Sequence, residues 1–489
     1  MKRNIKYSLI LLAVLAQVSC NNWLELEPPS GLTREEFWQT KEDVEAMLSG
    51  AYSIMAKMDN LFFLYGEIRA DMVIGDINQG DDQKKMAQNN IYPDNGLANW
   101  NRFYQVINYC NEIIKNAPLV QERDNTFTDY QLKGWMAEAY YLRSLTYFYL
   151  VRIFKDVPLI LEPSETDDTD FYIPKSEEAV VLAQITRDLE ENRNFAIADG
   201  YSTLAENKGR ASKAAFDALL ADIALWNFDY NKVLEHVSRI EANEDIVLMP
   251  SGKWFELYYP GNALESIFEF QFDMGKNQSN QLYGLTNRNS YNYDPSQTAL
   301  EMFARLYAKE LVRGEDASIK RYGDDDYIIW KYVGSAPDGN TIRTGTLQNS
   351  ANWIVYRLAD VLLMKAEALS QLNRYGEALD IINLIRDRAN VGSIGLPNSA
   401  TAYEDAILEE RALELAFEGK RWFDLLRMGR RNNYARKETL IEVIVRNVPS
   451  TQKRIQAVKL TNPLGWYMPV HEDELERNKN LVQNPYYIN

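Results

Sequence analysis

The sequence predicts a mainly α fold, in which helix pairs of the tetratricopeptide (TPR) type form an array packed against an irregular, loop-rich region with a few short strands. Three observations predict it. Residues 219–240 and 364–385 look alike when Tyr230 is set on Tyr375, which also pairs Ala221 with Ala366, Leu234 with Leu379, Val237 with Ile382 and Ile240 with Ile385. Small residues on one helix, a polar turn with Tyr, then a second apolar helix make a helix–turn–helix repeat. Residues 132–154 read as one long helix, apolar almost all round in its second half, and wide irregular stretches separate the helical blocks.

The chain opens on a secretory leader. Lys2, Arg3 and Lys6 precede the apolar run Leu9–Ala16, which is too short to span a bilayer. It ends at Gln17-Val18-Ser19-Cys20, a small residue followed by Cys, which predicts cleavage before Cys20 and lipidation of its thiol. Residues 1–19 are therefore read as the signal peptide. Cys110 is the second of two cysteines, so no disulfide framework is expected, and within NYCNEIIK it reads as a small core hydrophobe.

The mature segment is read as a region 20–235 with TPR-type helices and a region 236–489 with the ligand loops and further TPR-type helices. Two pairs are too few for a free solenoid, so degenerate units are expected at 38–56 and 135–154. The helix 132–154 is apolar almost all round in its second half and should be buried on several sides, stopping before Pro158. The intervening stretches 59–100, 162–174, 247–298, 314–350 and 390–402 are long enough to expect function there. Ser266–Phe272 and Tyr327–Val333 alternate and predict short strands.

Residues 405–429, DAILEERALELAFEGKRWFDLLRMG, read as one amphipathic helix with opposite charges three apart: Arg411–Glu414, Glu418–Arg421, Arg421–Asp424 and Asp424–Arg427. The ladder Glu410, Glu414, Glu418 resembles a carboxylate pair only superficially, because Arg lies close to each and would hold it ionised. Arg427–Arg431 read as a complement to the helix dipole.

The order of residue types in 405–429 resembles the ER-x-ELA-EG-R-x-DL-x-R segment of the SusD/RagB family. Leu24–Pro28, Phe37–Thr40 with Asp43–Tyr52, Gly209-Arg210-Ala211, Trp353–Glu367 read as one helix, Asn383 with Arg386 and Arg388-Ala389, and the closing WYMPVHEDELERNKNLVQNPYY (466–487) resemble further segments of it. The resemblance runs from Cys20 to Tyr487. It implies a SusD-like fold with a right-handed TPR array, and structural roles for the ions Arg357, Asp360 and Glu367. It also implies a lipoprotein of the outer membrane facing the cell exterior, serving a SusC-like TonB-dependent barrel and binding a nutrient without catalysis. An oligosaccharide is the expected ligand. A peptide, as RagB-type members take, and a protein-binding TPR scaffold are the alternatives.

Composition agrees. A net charge of −17 makes the chain a poor partner for nucleic acid. The two histidines, His236 and His471, sit in no metal or nucleophile pattern, so no enzyme and no cofactor are expected. Asp76–Asp82 and Asp324–Asp326 offer oxygens for a structural Ca²⁺ but lack EF-hand spacing. A sugar-binding surface needs aromatic platforms beside amides and carboxylates. Two loops, 62–102 and 283–332, carry that mixture. The candidates are Asp71, Asn99, Trp100 and Asn101 in the first, and Tyr283, Tyr291, Tyr293 and Trp330 in the second, with Trp100 and the Tyr291–Tyr293 pair foremost.

Overall fold

A computed structural model describes residues 37–164, 172–197, 201–287, 292–305, 312–323, 326–334, 336, 341–345 and 349–488. The leader, Cys20 and Tyr291 lie outside them. No helix among the described residues is long and apolar enough to cross a membrane.

The helical array is laid down in chain order by α1 (Lys41–Ala56), α2 (Asn101–Arg123), α3 (Asp129–Phe154), α4 (Glu178–Asn192), α5 (Lys213–Trp226), α6 (Tyr230–Glu241), α7 (Leu358–Gln371), α8 (Tyr375–Arg388) and α9 (Ala400–Glu414). Each packs on the next, with α6 against α7 joining the two clear pairs across more than a hundred intervening residues. Within the pairs, tight turns place Phe228 and Asn373 at positive φ, and Ala221 and Ala366 are fully buried where the helices close on one another. The degenerate units at both predicted places are α1–α2 and α3–α4.

α3 is the central member. Thr128 and Gln131 form its capping box, every residue from Tyr141 to Phe154 is buried, and Lys155 at φ 71 turns the chain out ahead of Pro158. A helix buried on all sides cannot show one apolar stripe, which is why its sequence looked uniformly apolar. Cys110 is buried on α2, and burial pushes its thiol up to about 12.

The short strands pair as two-stranded antiparallel ribbons. β2 (Ser266–Phe270) runs antiparallel to β6 (Trp353–Arg357), and β4 (Ile319–Arg321) to β5 (Tyr327–Ile329). β1 (Val73–Gly75) pairs with β3 (Tyr293–Pro295), tying the two candidate loops together.

Four expectations need correction. Trp353–Glu367 is not one helix: Trp353–Arg357 is strand β6, and helix α7 begins at Leu358. Residues 405–429 are not one helix either. α9 stops at Glu414, Phe417 and Gly419 take φ of 66 and 72, and α10 (Arg421–Tyr434) starts afresh. The stretch 59–100 includes the helix Asp59–Glu67, buried through Phe62, Phe63 and Tyr65. The division at 235/236 falls inside α6, and one continuous core extends from Trp38 to Leu481, so the two regions share an interior.

Candidate ligand-binding surface

The carboxylates of the 405–429 segment define what the site is built on. Glu414, with no exposed surface, meets Arg357 at 2.6 Å and Arg313 at 3.2 Å, and pairs with Arg388. Glu418 meets Arg357 and Lys331, each at 2.8 Å, while Glu410 meets Arg313 at 2.6 Å and Arg386 at 3.2 Å. Glu265 completes the lattice on Arg357 and Arg388. Burial alone would raise the Glu414 pKa, but the guanidiniums of Arg388, Arg357 and Arg313 hold it well below the usual carboxylate range. These groups are spoken for on every side, as a scaffold requires.

Of the four short-range pairs expected, Asp424–Arg427 forms, at 2.9 Å. The others do not, because the chain reverses at 415–420 and buried charges take partners from other elements. Arg411 reaches Asp360 and Asp424, and Arg421 reaches Asp71. Arg427 and Arg431 clamp Glu367, and Arg430 pairs with Glu178, so the cluster at 427–431 crosslinks helices instead of complementing a dipole. Arg357, Asp360 and Glu367 are structural ions; coulombic attraction overcomes burial and holds Asp360 and Glu367 at about 2.

Several predicted ligand residues sit in this interior. Asp71 is fully buried and accepts both bonds of the Arg421 guanidinium, at 2.7 and 3.0 Å. Trp100 is 2% exposed, its ring edge-on to Tyr104 and Phe154. Tyr293 is buried, its hydroxyl donating to Gln83 at 2.7 Å. Trp330 is buried beneath the Lys320 ammonium. In this conformation none of the four offers a ring or carboxylate to a ligand. The reason is the same in each: large aromatics and ion-paired acids fill the space between loop and helix. Asn99 spends its side-chain oxygen on the backbone N–H of Asn101 at the start of α2, Asn101 is exposed, and Tyr283 is half-buried.

Accessible groups gather where the loops meet. β1 and β3 pair, Asp76 N–H donates to Asn292 at 2.9 Å, and β3 packs on β5 of the neighbouring ribbon. Around this junction Ile77 is 81% exposed, Tyr322 47%, and Ile74 stands out from β1. Asp294 is half-buried among them, and burial, then the carboxylates of Asp76 and Asp326, push it up to about 6. The sequence reading missed Tyr322, Ile77 and Asp294. Tyr322 lies in KRYGDDDY, directly after β4, and an aromatic beside a glycine turn was the available signal. The acidic stretches considered for Ca²⁺ do converge here through Asp76 and Asp326. Among the described residues, no group of three His, Cys, Asp or Glu is arranged to hold a metal.

Two family models match the chain. One, described as "Starch-binding associating with outer membrane", matches residues 22–225, and the other, described as "SusD family", matches 312–487. SusD-like protein P2 of Formosa agariphila is 28% identical over 98% of this chain and 99% of its own length. SusD-like protein P38 of the same organism is 27% identical over 87% and 91%. Among solved structures, a SusD superfamily protein from Bacteroides vulgatus superposes with a TM-score of 0.76 at 20% identity, covering 92% of this chain and 100% of that one. A laminarin-binding SusD-like protein superposes at 0.69 and 22%, covering 91% and 99%.

Proposed function

Because the chain belongs to the SusD/RagB family, we propose that it is a non-catalytic outer-membrane lipoprotein that captures an oligosaccharide and passes it to a SusC-like TonB-dependent barrel. The observation that carries the reading is the junction of β1, β3 and the β4–β5 ribbon. It displays Tyr322, Ile74 and Ile77 beside the carboxylates of Asp76, Asp294 and Asp326. Sugar rings stack their C–H faces on such apolar and aromatic groups, while carboxylates take their hydroxyls. The starch-binding description of the N-terminal family model and the laminarin-binding neighbour support a glycan over a peptide. The buried Glu410–Glu414–Glu418 lattice supports binding without cleavage, since its acids are all engaged with cations. Lipidation of Cys20 would anchor the body to the membrane, facing the cell exterior.

Calorimetry of the mature protein against starch- and laminarin-derived oligosaccharides and a peptide pool, with product analysis, tests this. A bound, uncleaved glycan is expected, and Tyr322→Ala should weaken it by about 2 kcal/mol, the loss of an aromatic anchor. Peptide binding with no glycan response would overturn the ligand assignment, and released products would overturn the non-catalytic one. Intact mass of the native protein, compared with Cys20→Ala, reads the anchor. Co-purification from native membranes in mild detergent reads the barrel.

A further inference from the structure

A cleft of about 390 Å³ lies on the helical side, sharing no residue with the loop junction. Its walls are the N-terminal turn of α5, the residues after α6 and the end of α4, and Ile246 and Ile267 contribute apolar surface. The size suits a small molecule.

The polar lining is specialised. Lys213 is half-buried, and among the described residues its ammonium has no ion-pair partner. Asn207 accepts from Tyr201 N–H and Asn243 from Asp245 N–H, each through its oxygen, so both amide NH₂ groups are left to donate. Ser212 accepts from Ala215 N–H at the start of α5, leaving its hydroxyl hydrogen to donate. Behind them Asp217, 1% exposed, is neutralised by a two-pronged contact from Arg193 and by Arg239, so it fixes the wall without repelling an anion. Donors that face a cleft and lack acceptors call for a ligand rich in oxygen.

The exposed carboxylates of Glu244 and Asp245 also line the cleft. They disfavour a dianion such as phosphate more than a monoanionic carboxylate. They also accept from hydroxyls, so a ligand carrying one carboxylate and several hydroxyls fits both halves of the lining. We propose that this cleft is a second binding site, for a sugar acid whose carboxylate pairs with Lys213. Its hydroxyls are shared among Asn207, Asn243 and the two acidic side chains. The proposal does not depend on the function of the loop junction.

The test uses the purified mature protein with D-glucuronate, D-glucose and acetate at equal ionic strength, read by calorimetry and ligand-observed NMR. Glucuronate should bind, and glucose and acetate should bind at least on the order of tenfold more weakly, the scale of a charge-assisted hydrogen bond. Lys213→Gln should weaken glucuronate by a similar factor with an unchanged melting temperature, and Tyr322→Ala should leave it unaffected. Three results would each overturn the proposal: equal response to glucose or acetate, full binding by Lys213→Gln, or loss of glucuronate with Tyr322→Ala alone.

Discussion

Arg357 and Glu414 meet 57 positions apart in sequence, Nη1 on the carboxylate at 2.6 Å and Nη2 on the backbone carbonyl at 2.8 Å, with neither side chain exposed. The contact joins the end of β6 to the end of α9, and so ties the loop region to the helical array. Removing one member of a buried pair strands the other, at a cost of ~3–5 kcal/mol. Glu414→Gln should therefore lower the unfolding free energy by about that amount in urea titration, and leave ligand affinity of the folded protein unchanged. An unaltered midpoint would show that the lattice is not holding the body together.

Trp100, foremost among the aromatic candidates together with the Tyr291–Tyr293 pair, is a core residue in the fold, edge-on to Phe154 at the end of α3. Trp100→Ala should destabilise by ~3–5 kcal/mol, as for other large aromatic truncations. Its glycan affinity should match the parent's once the folded fraction is accounted for. Selective loss of binding at full stability would restore it to the ligand surface.

These two residues mark what could be read from sequence. The helix pairs were legible because Ala221 and Ala366 repeat at one register, and a repeat survives translation into structure. The buried stretch of α3 was legible from uniform apolarity. Partners of the charges were not, because spacing reports only neighbours on one helix, whereas Arg421 finds Asp71 350 positions away. The segment FEGKR looked helical since nothing in its composition announces that Phe417 and Gly419 take positive φ. Exposure of loop aromatics was least legible of all. Trp100, in GLANWNRF, and Tyr322, in KRYGDDDY, both sit in polar, Gly-containing contexts, and only packing separates them.

The turn at Gly419 is held by Glu67. Its carboxylate accepts from Gly419 N–H at 2.8 Å and Lys420 N–H at 3.2 Å, and a Cβ on Gly66 would lie 2.0 Å from the Gly419 carbonyl oxygen. Burial pushes the Glu67 carboxyl up to about 8 despite those donors. The folded state therefore keeps a proton that the unfolded chain has lost. The associated stability is complete below the ordinary Glu range, and drains away as pH rises toward about 8. Glu67→Gln should remove that decline, a slope of at most about 1.4 kcal/mol per pH unit. Urea unfolding from pH 5 to 9 measures it, and parallel curves for variant and parent would refute the assignment.

Asp294 places a similar titration at the ligand surface itself. Burial, then Asp76 and Asp326, raise its carboxyl to about 6, so it is neutral below that pH and becomes an added negative charge above it. That charge appears on β3, next to the strand whose pairing brings the two loops together. The sign follows directly: an acid with a raised folded pKa favours the folded arrangement at low pH and loses that advantage as pH climbs through 6. The Asp76 N–H, which donates to Asn292 across this junction, should exchange with solvent more readily at pH 7 than at pH 5 after correction for the intrinsic rate. Asp294→Asn should abolish the difference, because an amide cannot ionise. Oligosaccharide affinity should follow the same profile if the junction is the binding surface. A variant that retained the full pH dependence would place the titration elsewhere and remove Asp294 from the site.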